Sequence, residues 1–178
     1  MRLLILSAAF LSLAAAQESR HEVVQSTGAA DAKPNDPKVP EVVSIPTQFE
    51  RVVILRFKYQ TELLSGLERA VKDNHIQNGV ILSAFGSVRN YQVHQVSNRT
   101  LPSKNMFVKD ATAPADILGM SGYVLNGRLH PHIALANPEK AFGGHLEPGT
   151  NVFTFAVVTI GVLPDNLDLS RLDDKNFR

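Results

Sequence analysis

From Gly79 to Leu163 the chain is a succession of short apolar runs rich in Val, Ile and Leu, broken by glycines and turn residues, with one helical period ahead of them. That ordering limits the fold more than any other feature. The runs are Val80 to Phe85, Val88 to Val96, Asp116 to Leu125, Leu129 to Ala136 and Val152 to Leu163. Glycines inside or beside them, at Gly86, Gly119 and Gly122, predict bulges and close backbone approach. Asn126-Gly127 is a two-residue turn signal, so the strands on either side should form a tight antiparallel hairpin. Ser97 to Ala115, with Pro102 and Pro114, reads as a loop holding one short strand around Phe107. Upstream, Arg51 to Lys58 reads as a strand. A helix follows, with Thr61 as N-cap and Leu63, Leu64, Leu67, Ala70 and Val71 at three- and four-residue spacing up to Asn74. Strand runs with a single helix and hairpin connections predict α+β with a mainly antiparallel β-sheet and one principal helix, rather than a doubly wound parallel sheet.

Ahead of this domain the character changes. Arg2 followed by the apolar stretch Leu3 to Leu13 and by Ala14, Ala15 and Ala16 has the form of a signal peptide cut after Ala16. The apolar stretch falls well short of the ~20 residues that span a bilayer. Residues 17–47 mix polar residues with Pro34, Pro37, Pro40 and Pro46 and lack periodicity before Val42, so they are expected to form a flexible linker, disordered up to about Glu41. The predicted organisation is therefore 1–16 signal peptide, 17–47 linker and 48–178 folded domain, in a secreted or periplasmic protein with no membrane span.

Charge narrows the partners. Of 18 Lys+Arg and 17 Asp+Glu, removal of residues 1–16 takes away Arg2 and no acid, leaving a balanced chain. A binder that relies on phosphate contacts gains its non-specific affinity from a basic excess, so nucleic acid is an unlikely partner on this reading. The chain has no Cys, which excludes disulfides, lipoprotein anchoring and thiolate metal sites. Any metal must be held by His, carboxylate or backbone oxygen.

Three of the six histidines stand close together, in His130-Pro-His132 and in Gly143-Gly-His145. In a strand the side-chain period is two, so His130 and His132 share a face and Pro131 points away. Two imidazoles about 6 to 7 Å apart along a strand can converge on one metal if a third ligand arrives from a neighbouring segment. His145 is the candidate, because Gly143-Gly144 lets the backbone pass close to the first pair. Pro131 cannot donate to a ladder, which places it at an edge or bulge. Glu147 is a possible accessory group, as fourth ligand or proton acceptor. The spacing alone favours a metal site but leaves open a polar hydrogen-bonded cluster or a chance grouping. Without thiolates, imidazoles suit zinc, nickel or copper better than magnesium or calcium, and binding should weaken below about pH 6.5 as they gain protons. His75 reads as a solvated helix-end residue and His94 as a strand-surface or interface residue. Ser121 sits in a glycine-kinked strand without the turn a nucleophile elbow needs. Asn98-Arg-Thr100 is a formal glycosylation sequon.

Taken in order, Gly79-Val-Ile-Leu-Ser-Ala-Phe-Gly-Ser-Val88, Ile117-Leu-Gly-Met-Ser-Gly-Tyr-Val124, His130-Pro-His-Ile-Ala-Leu135, Gly143-Gly-His-Leu146 and a closing Val/Thr-rich strand resemble the plants-and-prokaryotes-conserved (PPC) domain, from about Gln48 to Leu163. That resemblance implies an α+β fold assembled as a homotrimer. It also implies that His130, His132 and His145 cluster near a subunit boundary, where some members hold a metal ion; the imidazole chemistry above makes zinc the leading choice. The expected function is that of an exported trimeric metal-binding domain that binds a small molecule or catalyses metal-assisted hydrolysis. The alternative is a DNA-binding module, the role carried in plant relatives by an Arg-Gly-Arg-Pro hook that this chain does not contain. Two positions depart from the family pattern: Asp116 stands where Glu is usual, and Phe153 to Ile160 contains no acid.

Overall fold

The structure, a computed structural model, describes residues 19–32 and 36–173. The expected signal peptide, residues 1–16, lies outside the described residues. The elements in chain order are β1 (Arg20–Ser26), a short 3-10 turn (Ala29–Ala32), β2 (Arg51–Lys58), α1 (Leu63–Asp73), β3 (Asn78–Val96), β4 (Lys104–Asp110), β5 (Ala115–Leu125), β6 (Arg128–Ala136), β7 (Ala141–Leu146) and β8 (Asn151–Leu163). All strands join one antiparallel sheet in the order β1-β4-β3-β5-β6-β7, with β8 pairing β3 and β2 pairing β8. The path returns on itself, because β7 also pairs with β3. This is the α+β architecture read from the sequence.

The helix forms because Leu63, Leu67 and Val71, four residues apart, turn one face inward and are 0%, 0% and 2% exposed. Each such buried side chain contributes about 1.5–3 kcal/mol relative to an exposed one. Gly66 lets the helix lie directly on β2, since a Cβ there would sit 3.1 Å from the Phe57 ring. The N-cap is Glu62 rather than the expected Thr61. Its carboxylate accepts from the Leu64 and Ser65 amides at 3.3 and 2.7 Å, satisfying donors that a shorter hydroxyl one residue earlier does not serve here. Among the described residues no helix is long and apolar enough to cross a membrane.

Two apolar runs of the sequence, separated at Gly86, are one 19-residue strand, β3. It stays continuous because Gly86, at φ +136°, bends it against β8: a Cβ there would lie 2.2 Å from the Phe155 carbonyl oxygen. Register shifts against β8 mark the bend. The length of β3 lets it change partners, with β5 from Gly79 to Val88 and then β4 and β7 toward its end. At the Asn126-Gly127 turn both residues have positive φ, 51° and 75°, the conformation of a type I′ hairpin. It joins β5 to β6 as expected.

Residues 20–26 lie inside the segment read as a linker, yet they form β1, paired residue for residue with β4 from Arg20↔Asp110 to Ser26↔Lys104. Local composition hid this strand because almost none of it is buried. What holds it is the ladder to an otherwise open edge, which is a long-range partner rather than a local propensity. Asp110 anchors the end of β4. Burial alone would raise its pKa, but the Thr112 and Ala113 amides and the Ser19 hydroxyl outweigh that and hold it below the usual carboxylate value.

Candidate metal centre

The histidines meet because of strand register. His132 on β6 lies opposite His145 on β7, and His145 lies opposite His94 on β3. His94 in turn faces Phe107 on β4. One cross-strand row therefore carries Phe107, His94, His145 and His132, with Ser121 of β5 beyond it. His130 stands two residues before His132 on the same face, with the intervening Pro131 buried. The ladder between β6 and β7 begins at His132, so Pro131 sits where β6 is free on that side and its missing N–H costs no bond there.

Glycines make the close approach possible. A Cβ at Gly143 would lie 2.2 Å from the Ile133 carbonyl oxygen, and one at Gly144 would lie 2.2 Å from that of His94. Gly122 does the same on β5, where a Cβ would fall 2.1 Å from the His130 carbonyl oxygen. Gln95 adds a side-chain bond by donating to the Gly143 carbonyl.

Within this frame the His130 and His132 rings stack with centroids 5.4 Å apart, and both stand edge-on to His145 at 5.1 and 5.5 Å. His94 stacks on His145 at 4.7 Å and against Phe107 at 4.9 Å. Glu147 Oε1 faces Nδ1 of both His94 and His145, at 2.5 and 3.1 Å. Asp173 Oδ2 lies 3.1 Å from His130 Nδ1. A carboxylate accepts, so these three imidazoles carry their protons on Nδ1 and turn the lone pair of Nε2 outward. Burial first, then the neighbouring histidines, push the pKa of His132 below the ordinary imidazole value. The same holds for His145, where burial and His94 outweigh the opposing pull of Glu147. The surroundings therefore favour the neutral form of both rings, the form that has a lone pair to share.

One pair of donor atoms stands at a spacing that suits either a hydrogen bond or a shared divalent ion. His130 Nε2 and His132 Nε2 face each other at 3.4 Å, which is about the edge of a tetrahedron built on zinc–imidazole bonds of roughly 2.0–2.1 Å. Among the described residues, the group whose donor atoms all lie within 4.8 Å of one another is His94, His145 and Glu147, whereas the expected triad of His130, His132 and His145 brings its rings to 5.1–5.5 Å without meeting that spacing. An ion in this group would use His94 Nε2 or the second Glu147 oxygen, because the 2.5 Å contact of His94 Nδ1 with Glu147 Oε1 is too short for a cation between those two atoms. That contact is a hydrogen bond, and Glu147 serves as the carboxylate that orients two imidazoles.

The structure thus gathers His130, His132 and His145 and puts Glu147 beside them. It adds His94, which the sequence placed on a strand surface or interface but not in the cluster, and Asp173, which the sequence did not single out. The alternation Tyr91, Val93 inward and His94 outward was legible locally. That β7 would run alongside β3 was not. Ser121 is an exposed strand residue, in keeping with its reading, and His75, exposed at φ 50°, follows the Asn74 C-cap of α1.

Comparison with known proteins bears on the fold. The family model of the Plants and Prokaryotes Conserved (PCC) domain matches residues 45–164. The chain is 31% identical over 125 residues to the Bifunctional protein GlmU of Synechococcus sp. (strain JA-3-3Ab), covering 70% of this chain but only 18% of that longer protein. A metal-containing protein from Archaeoglobus fulgidus superposes with a TM-score of 0.58 at 21% identity, covering 71% of this chain and 89% of its own. A plant- and prokaryote-conserved protein from Pyrococcus horikoshii gives 0.56 at 22%, covering 69% and 85%. A protein named for DNA binding, from Ralstonia eutropha JMP134, gives 0.50 at 17%, covering 65% and 80%.

Proposed function

The chain belongs to the Plants and Prokaryotes Conserved domain family, and from that premise we propose that it is an exported, trimeric domain that binds a divalent metal, zinc foremost, through His130, His132 and His145. The observation that carries this reading is the approach of His130 Nε2 and His132 Nε2 to 3.4 Å beside His145, with carboxylates on the outer nitrogens of His130 and His145. The Archaeoglobus protein of the same fold is described as metal-containing, which supports it. An ion held there by His130, His132 and His145 would supply Lewis-acid polarisation of a small molecule or of water, the chemistry of metal-assisted hydrolysis.

The chain's own residues set the rest. Glu147 fixes the tautomers of His94 and His145, and His94, clamped between Phe107 and His145, walls one side of the site. A shallow hollow lined by Gly119, Ser121, His132 and Ala134 gives a solute access from the side of His132. The trimer is supported by the face of the sheet turned away from α1. Val53, Leu55 and Phe57 of β2 point inward, while Ile54 is 71% exposed and Phe85, Leu118 and Phe153 are 54%, 60% and 45% exposed. An apolar face of this kind is what an assembled protein covers.

Metal analysis of the purified protein, with His130→Ala and His145→Ala beside it, tests the reading. One zinc per chain in the wild type, lost or strongly weakened in both variants, is expected. A wild type that binds no stoichiometric metal when zinc is supplied overturns it. A second reading, a DNA-binding module, is favoured by the name of the Ralstonia protein. The balanced charge of the processed chain weighs against it. Tight duplex binding that falls steeply with salt would decide for this alternative.

A further inference from the structure

Residues 165–173 lie beyond the segment matched by the family model, and their path is built rather than loose. The buried amide of Asn78 donates to the carbonyls of Pro164, Asp165 and Leu167 at 3.1, 3.2 and 3.3 Å, while its oxygen accepts from the Asn126 amide at the β5–β6 turn. Leu169 is 7% exposed and so pins the middle of the tail. The Leu172 amide then donates to the Leu169 carbonyl at 3.0 Å, turning the chain back. That turn delivers the Asp173 carboxylate to 3.1 Å from Nδ1 of His130.

We propose that this C-terminal tail is a working part of the metal site, with Asp173 the positioning residue that fixes the tautomer and ring orientation of His130. The proposal rests on the metal reading given above. Glu147 serves His145 from the strand end two residues away. His130 has no such neighbour on β6, because Arg128 cannot accept and Pro131 and Leu129 are apolar. The tail supplies the missing carboxylate from 43 residues downstream. With its Nδ1 proton on Asp173, His130 directs its Nε2 lone pair toward Nε2 of His132. Without Asp173 the ring is free to turn and to take the Nε2–H form that an unconstrained histidine side chain prefers, which has no lone pair on the nitrogen facing the site.

The test compares the full chain with Asp173→Ala and Asp173→Glu. Two quantities are read: zinc affinity by chelator competition, and the tautomer of His130 in metal-free protein by long-range 15N–1H correlation above pH 7.5. Outer-shell carboxylates typically contribute 10–100-fold in metal affinity, and the half-exposed Asp173 belongs at the low end. Asp173→Ala should weaken zinc about tenfold and shift His130 toward the Nε2–H form, and Asp173→Glu should restore both. If Asp173→Ala leaves the tautomer and the affinity as in wild type, the proposal fails while the metal reading stands. If wild type binds no zinc, the metal reading fails, and a tautomer that does not respond to Asp173→Ala then overturns the positioning role as well. A tautomer that does respond upholds it.

Discussion

β5 contains two glycines whose replacement by alanine should have opposite consequences. At Gly122, φ is +132°, and an added Cβ would stand 2.1 Å from the His130 carbonyl oxygen and 3.0 Å from Pro131 Cα. Both contacts are backbone atoms of β6, so no side chain can swing aside. Backbone strain of about 1–3 kcal/mol and overpacking of about 1–3 kcal/mol together put the loss for Gly122→Ala at roughly 2–6 kcal/mol. At Gly119, an added Cβ meets nothing within 4 Å. Gly119→Ala should therefore change stability by less than about 0.5 kcal/mol, or raise it slightly by restricting the unfolded chain. Urea unfolding of the two variants and wild type, followed by circular dichroism, measures the contrast. The midpoint should fall sharply for Gly122→Ala alone. If Gly119→Ala is as damaging as Gly122→Ala, the argument that β5 approaches His130 through a glycine-only gap is wrong.

Stability of the metal-free protein should fall as pH is lowered from 7.5 to about 5. His132 and His145 have pKa values below 6.5 when folded, so below about 6.5 the unfolded chain binds more protons than the folded one. Urea midpoints across that range check this, and a rise on acidification contradicts it. In solution the exposed face around Ile54, Phe85 and Leu118 should be covered in a trimer, read by light scattering, with Phe85→Asp breaking it down to monomer. A monodisperse wild-type monomer at micromolar concentration would remove that argument. Protein recovered from its native host should begin at about Gln17 by intact mass, and a full-length main species would contradict export.

The parts of this structure that could be read from the sequence are those set by local chemistry. The β5–β6 hairpin follows from Asn126-Gly127, the helix from the spacing of Leu63, Leu67 and Val71, and the shared face of His130 and His132 from the two-residue period of a strand. Even the approach of His145 was signalled by Gly143-Gly144, because two consecutive residues without side chains announce a close neighbour without naming it. The neighbour was the illegible part. His94 belongs to the cluster only because β3 is long enough to change partners after Val88 and run beside β7, and register between distant strands leaves no local trace. Asp173 is reached through a tail held by Asn78, 95 residues earlier in sequence, and β1 through a ladder to β4. Each depends on long-range pairing, whose contribution comes from contacts that neither segment displays alone.

The central claim, a metal ion held by the converging imidazoles, is tested most directly by X-ray absorption at the zinc edge of the loaded, purified chain. The account predicts one zinc per chain with nitrogen neighbours at about 2.0–2.1 Å, the multiple scattering of three imidazoles, and one further light-atom neighbour at the open position. In His130→Ala the imidazole count should fall. Zinc surrounded by water oxygens without imidazole scattering, or a spectrum indifferent to His130→Ala, would contradict it.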